Sequence, residues 1–303
     1  MVVFLYTSVV LIWGSTWLAV AYQVGVVPPE VSVAYRIGFA ALFMFAWCLL
    51  RRHPLGFSFK DHLFMALQGG LIFSTNFFLF YHAAAFLTTG FIAVIFSMAS
   101  VMTLLINAVL TRNKPSLRVS VGAVLGVFGI AVIYSEELLN VSLHLDKLTG
   151  VLLSLGGTLC FSLGSIVSAR NRHAGLSVNG NTTWSMIYGF LLLTIYMVLS
   201  GHWFTFDPRM PYTLSLLYLA IVGSIIAFAA YFALLGRIAA ERAAYATVLF
   251  PLVALLLSTL FEGYRWTPSA LAGVAIILLG NLLVLYKPVA REQRISLQRM
   301  PHD

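Results

Sequence analysis

The chain has 303 residues, 60% of them hydrophobic and only 9% charged, with a net charge of +8. Soluble domains hold about 25% charged residues, so a water-soluble globule is excluded, and the mean hydropathy of +0.94 agrees. The basic excess does not point to nucleic acid, because the charges are scattered between apolar segments rather than gathered in a patch. A bilayer-spanning helix takes about 20 apolar residues. In chain order such helices are predicted at 4–24, 30–50, 62–85, 90–110, 118–135, 148–168, 183–200, 213–235, 243–261 and 268–286. Breakers mark the connections at Pro28-Pro29, Arg51 to Lys60, Asn113 to Ser116, Asn179 to Asn181 and Asp207-Pro208. A first half, 1–135, is joined by a linker, 136–147, to a second half, 148–286, and a basic tail follows at 287–303. The first helix contains Ala19-Val20-Ala21, a signal-peptidase-like pattern, but no basic region precedes it, so it reads as a retained helix. Cys48 and Cys160 fall inside apolar segments and read as small buried hydrophobes. No metal site and no cofactor is expected.

The halves superimpose. Gly122 and Gly129 match Gly273 and Gly280 at a shift of 151, as Gly38-Phe39 matches Gly189-Phe190; Gly14-Ser15 matches Gly164-Ser165 at 150. Each half holds five apolar segments, an odd number, so the second enters the membrane upside down. Lys and Arg set the orientation. Fourteen of them fall in the inner loops and tail against Lys147, Arg209 and Arg265 outside, with Arg36 inside a helix. Both termini are therefore expected to be cytoplasmic, with the tail a positive-inside anchor or a contact for anionic lipid. The expected fold is an all-α membrane protein of ten transmembrane helices in two inverted five-helix repeats. Solute carriers with a midplane site are built this way.

Several motifs point further. The first helix reads Ile12-Trp13-Gly14-Ser15-Thr16, and the second carries Tyr35-Arg36. Pro251 precedes Phe261-Glu262-Gly263-Tyr264-Arg265-Trp266-Thr267-Pro268, then Gly273 and Gly280. In this order, over nearly the whole chain, they resemble the ten-helix EamA-type transporters of the drug/metabolite transporter superfamily, most of all the aromatic branch of the amino-acid exporters. The first repeat departs from the pattern: Ser100 stands where the second has Pro251, and Thr111-Arg112-Asn113 replaces the acidic turn. The resemblance implies an inner-membrane carrier that exports amino acids and similar small metabolites by alternating access. A broad efflux carrier for apolar metabolites or drugs is the alternative, and an intramembrane enzyme using Ser165 and His82 a remoter one. The expected partners are a small-molecule substrate and the lipid bilayer. A monomer is expected, with a dimer through Gly122-x-x-x-Gly126 as the option.

Polar groups in a membrane tend to face the bundle interior. Trp13 and Trp17 share a face of the first helix with Tyr6, either as a wall that stacks an aromatic substrate or as a lipid-facing belt. Thr75, Phe78 and His82 share a face of the third. His82 can bond a carboxylate or change charge near neutral pH, or it can be an interfacial histidine that meets water. Ser100, Thr103 and Asn107 give helix 4 a polar stripe. Ser154, Thr158, Ser162 and Ser165 give helix 6 another, serving a zwitterion or bonding their own i−4 carbonyls. Ser224, Phe228 and Tyr231 on helix 8 can complete a ring opposite helix 3. Pro251 frees a carbonyl and supplies a hinge. Arg36 can hold a carboxylate, or snorkel outward, or pair with Glu30. All ten acids map to loops, tails or helix ends. That disfavours exchange of protons for organic cations and favours a neutral or zwitterionic substrate, moved without coupling or coupled through His82.

Overall fold

The computed structural model describes residues 1–133, 135, 144–235, 237 and 246–285; at 144, 228, 229, 232 and 235 it describes the backbone alone. The expected linker lies mostly outside these residues, and the tail wholly so. All regular structure among the described residues is helical. In chain order the helices are α1 (Val2–Ala21), α2 (Pro29–Leu50), α3 (Phe59–Ala83), α4 (Thr89–Leu110), α5 (Leu117–Ile133), α6 (Leu145–His173), α7 (Val178–Leu199), α8 (Met210–Ile226, continued by Ala227–Leu235), α9 (Ala246–Phe261) and α10 (Pro268–Leu285). Seven are long and apolar enough to cross a membrane, and α5, α8 and α9 are shorter apolar helices.

The starts follow from local chemistry. Proline opens α2 and α10, where its missing N–H costs nothing. Ser58 and Ser177 cap α3 and α7, accepting from the N–H of Asp61 and Gly180 at 3.2 and 3.3 Å. The predicted extents match within a few residues except where α6 runs past 168 to His173 and α7 begins at Val178 rather than 183. The reason for the first is Asn171, fully buried on the last turn and engaged by neighbours.

Two departures from plain helix were not expected. α3 and α8 each carry a π-helical stretch, Gly69–Thr75 and Tyr218–Ile226, at positions about 150 residues apart. In the first, α3 lies hard against α7: a Cβ on Gly69 would sit 2.2 Å from the Ser185 carbonyl. In the second, the Ser224 hydroxyl donates to Leu219 O, five residues back, at 2.9 Å. α4 also breaks at Ser97-Met98. There the Asn281 amide of α10 donates to Ser97 Oγ at 2.8 Å, and Ser97 donates to Val94 O at 2.6 Å.

Glycines set the closest crossings. A Cβ on Gly122 would come within 3.0 Å of Gly280 O, and one on Gly273 within 2.5 Å of Gly129 O, so α5 and α10 touch backbone to backbone. Gly126 is covered by Met98, whose Cε would lie 2.4 Å from a Cβ there. The Gly122-x-x-x-Gly126 motif is thus spent within the chain. Around that pair, α2 packs on α7, α1 on α8 and α9, α3 on α6 and α7, and α4 on α6 and α9.

Each end of the bundle is tied by a buried polar knot. At the Met1 end, Asn171 donates to Gln68 Oε1 and Asn181 Oδ1, and Asn181 donates to Gln68 Oε1, all at 3.0 Å. At the other end, Gln23 donates to Tyr212 O at 2.9 Å and Ser215 Oγ at 2.7 Å, while Ser32 and the Tyr212 hydroxyl lie 3.0 Å apart. Breaking such a bond strands a buried group, which costs about 1–3 kcal/mol. In the loop beside the second knot, the Arg209 guanidinium holds the Asp207 carboxyl below its ordinary pKa, bonding it at 2.8 Å through Nε.

Candidate solute site

Where α1, α3, α4, α6, α8 and α9 meet, their aromatic rings form a continuous cluster. Trp17 lies 5.3 Å from Phe80 and 5.7 Å from Phe96, centroid to centroid, and Phe80 and Phe96 are 5.3 Å apart. Phe96 reaches Phe161 at 4.9 Å and Phe250 at 6.1 Å, and Trp13 meets Tyr231 at 5.0 Å. These separations are the ones that ring quadrupoles favour. Trp17 is buried; Trp13, Phe96, Phe161 and Tyr231 are half-buried, so their faces are partly available. Gly14 makes the arrangement fit: a Cβ there would sit 2.5 Å from Val253 Cβ, so only glycine lets α1 lie this close to α9. Thr16 packs on Gly223 in the π stretch of α8, and Ser15 lies 2.6 Å from the Tyr218 hydroxyl. α1 is therefore fixed from two sides, with its tryptophans between.

Trp13, Trp17 and Tyr231 share one cluster, and Tyr6 packs against it. Phe228 lies one turn before Tyr231 on α8, and its side chain is outside the described ones. Phe80, Phe96, Phe161 and Phe250 complete the cluster without having been singled out. The faint signals were positional: Phe96 stands just before the α4 break, and Phe250 adjoins Pro251.

The helix 3 face lies apart from this cluster. Phe78 and His82 pair at 4.2 Å and turn toward α7, where Phe78 meets the exposed Tyr196 at 5.1 Å. His82 Nδ1 bonds the Phe78 carbonyl at 2.9 Å, and Thr75 is exposed. Two residues along a helix is a rotation of about 200°, so Phe78 and Phe80 point to different sides of α3. In the α6 stripe, Ser154, Thr158, Ser162 and Ser165 donate to carbonyls four residues back at 2.7, 2.7, 2.9 and 2.8 Å. Ser162 also donates to Ala99 O of α4 at 3.1 Å, beside the half-buried Ser100. Pro251 is buried inside α9, which continues through it.

The acidic turn after α9 has a role that spacing did not show. Glu262 accepts from Thr89 N at 3.2 Å and Thr89 Oγ1 at 2.8 Å, and also from Ser258 Oγ. Ser258 in turn accepts from Gly90 N at 2.8 Å. The carboxylate thus caps α4, where the helix dipole favours negative charge. A Cβ on Gly90 would meet Ser258 Oγ at 2.6 Å and Ala254 O at 2.8 Å, so α4 and α9 are clasped at this end. At a shift of 151 the counterpart of Glu262 is Thr111, exposed and bonded to Asn107 O of its own helix at 2.8 Å.

Arg36 is a correction. It is only 6% exposed, with its guanidinium carbon 4.3 Å from the centre of the Phe77 ring. It does not pair with Glu30, whose carboxylate is taken by His202.

Membrane-length helices packed around an aromatic interior, with a polar knot at each end, have the build of a membrane carrier. The chain belongs to the EamA-like transporter family, which matches residues 1–135 and 148–286. It is 24% identical to protein PagO of Salmonella typhimurium over 93% of this chain and 91% of that protein. It is 27% identical to the uncharacterized inner membrane transporter YedA of Escherichia coli, over 92% and 91%. A Salmonella typhimurium protein named "probable amino-acid metabolite efflux pump" is 26% identical over 97% of this chain and 98% of its own length. A solved crystal structure, 16% identical, superposes with a TM-score of 0.64 over 93% of this chain and 96% of the other, a likeness of fold.

Proposed function

We propose that the protein is an inner-membrane secondary transporter that exports amino acids, aromatic ones among them, and similar small neutral or zwitterionic metabolites by alternating access. The observation that carries this reading is the ring cluster around Trp17 and Phe96, whose half-buried faces suit a flat apolar side chain. The relative named as an amino-acid metabolite efflux pump, matched end to end, supports the same substrate class.

Several features favour two inverted repeats, 1–135 and 148–286. Exchanging each helix with the one five places on maps the main packing pairs onto one another: α1 on α9 becomes α6 on α4, α3 on α6 becomes α8 on α1, and α2 on α7 and α5 on α10 map to themselves. The two π stretches also fall at equivalent positions. With both termini cytoplasmic, as the basic residues favour, the Glu262 clasp lies on the outer side. Opening then amounts to parting α4 from α9 there while the inner ends close.

Counterflow of a labelled amino-acid panel in proteoliposomes tests the function. Phenylalanine and tryptophan are expected to exchange unchanged and to compete with one another; no exchange of any amino acid would end the reading. The absence of an acid among the described ring-cluster side chains favours a second reading, a broader carrier of apolar metabolites. Adding uncharged aromatic solutes to the panel separates the two.

A further inference from the structure

We propose that Arg36 is the seat of a carboxylate, so that the site takes organic anions and amino acids through the free edge of its guanidinium. The inference rests on the carrier reading and narrows its substrates to solutes that bear a carboxylate.

Arg36 lies two turns into α2 from Pro29 and is 6% exposed. Among the described residues its surroundings supply no counter-charge. Glu30, on the same helix, is bound by His202, and Asp207 by Arg209 at 2.7 Å. Glu262 is committed to the start of α4, and Asp61, at the opposite end of the bundle, lies 3.5 Å from Arg170. What surrounds Arg36 is aromatic: the Phe77 ring covers one face of the guanidinium at 4.3 Å, and Tyr81 lies beside it, fully buried. Arg36 Nε lacks a hydrogen-bond partner, and the Tyr81 hydroxyl beside the guanidinium donates to none.

A cation held out of water with no counter-charge is disfavoured, and within a membrane such groups mark places where a charged ligand binds. The geometry says which ligand. Phe77 occupies the face, where cations meet rings. It leaves the in-plane edge with Nε free, and that edge is the fork that matches a carboxylate's two oxygens. The Tyr81 hydroxyl can donate to the same group. One turn further along α3, Phe80 touches Trp17, and Ala84 packs against both neighbourhoods. A carboxylate at Arg36 and a ring toward Trp17 would thus lie along one face of α3.

The test compares phenylacetate with phenylacetamide, which share shape and differ in charge. Affinities are read from the concentration dependence of the thermal unfolding midpoint of the purified full-length protein. Phenylacetate is expected to bind at least tenfold more tightly, roughly the effect of a charge-assisted hydrogen bond. That preference should vanish in Arg36→Gln and shrink in Arg36→Lys, which keeps the charge and loses the fork. Equal binding of the two, no binding of either, or an acid preference that survives in Arg36→Gln would overturn the proposal. The wild-type comparison needs no variant, so it decides even if both substitutions unfold the chain. Nor does it need flux: acid preference without counterflow would remove the carrier and leave the site, and counterflow without acid preference would do the reverse.

Discussion

At the scale of single residues, Trp17 and His82 illustrate how a shared helix face can mislead. Both were candidates for one solute site, yet Trp17 meets the rings of Phe80 on α3 and Phe96 on α4 while His82 bonds its own helix and leans on Phe78. Trp17→Ala is expected to slow phenylalanine transport several-fold more than threonine transport, since ring contacts contribute about 0.5–1.5 kcal/mol beyond burial. An equal loss for both, measured in the same vesicles, would mark Trp17 as packing alone. His82→Gln should leave counterflow at neutral pH within about twofold, because glutamine keeps the hydrogen-bonding capacity of a histidine that touches no ring of the cluster. A pH-gradient response that disappears in this variant would restore His82 as a coupling group.

Single elements were less legible in the sequence than their number and span. Apolar length located each helix because the bilayer imposes it. The interruptions have causes that lie far away in the chain. α4 breaks where Asn281, 184 residues distant, reaches Ser97. α3 takes a π turn where Ser185 of α7 crowds Gly69. No local pattern encodes such encounters, and for the same reason Phe80, Phe96, Phe161 and Phe250 looked like ordinary lipid-soluble residues. The Glu262 clasp also belongs to this scale. Glu262→Ala removes the acceptor for Thr89 N and Oγ1 and leaves the first turn of α4 uncapped. The outer ends of α4 and α9 should then part more often. In a version lacking Cys48 and Cys160, an impermeant thiol reagent added outside should label Ala93→Cys several-fold faster when Glu262 is replaced, cap loss being about 1 kcal/mol. An unchanged rate would show that the clasp holds nothing shut.

For the whole molecule, the proposed inverted arrangement makes a prediction that single helices do not. Cysteines introduced at Arg172 and at Lys147 lie at opposite ends of α6, and the balance of basic residues puts the first inside. Outside labelling at Arg172 would reverse the orientation of the second half and break the pseudo-twofold. The paired π turns carry a last consequence. A π turn holds one residue more than the helical lattice around it, much as a crystal holds an extra half-row at a dislocation. Moving that excess along a helix turns the stretch it crosses by ~100°, one residue's rotation, with the helix still continuous. α3 and α8 each own one such defect, about 150 residues apart in the chain. Sliding one while the other stays would exchange the states of the two halves, so the molecule could reverse its posture by shifting a flaw rather than by bending a rod.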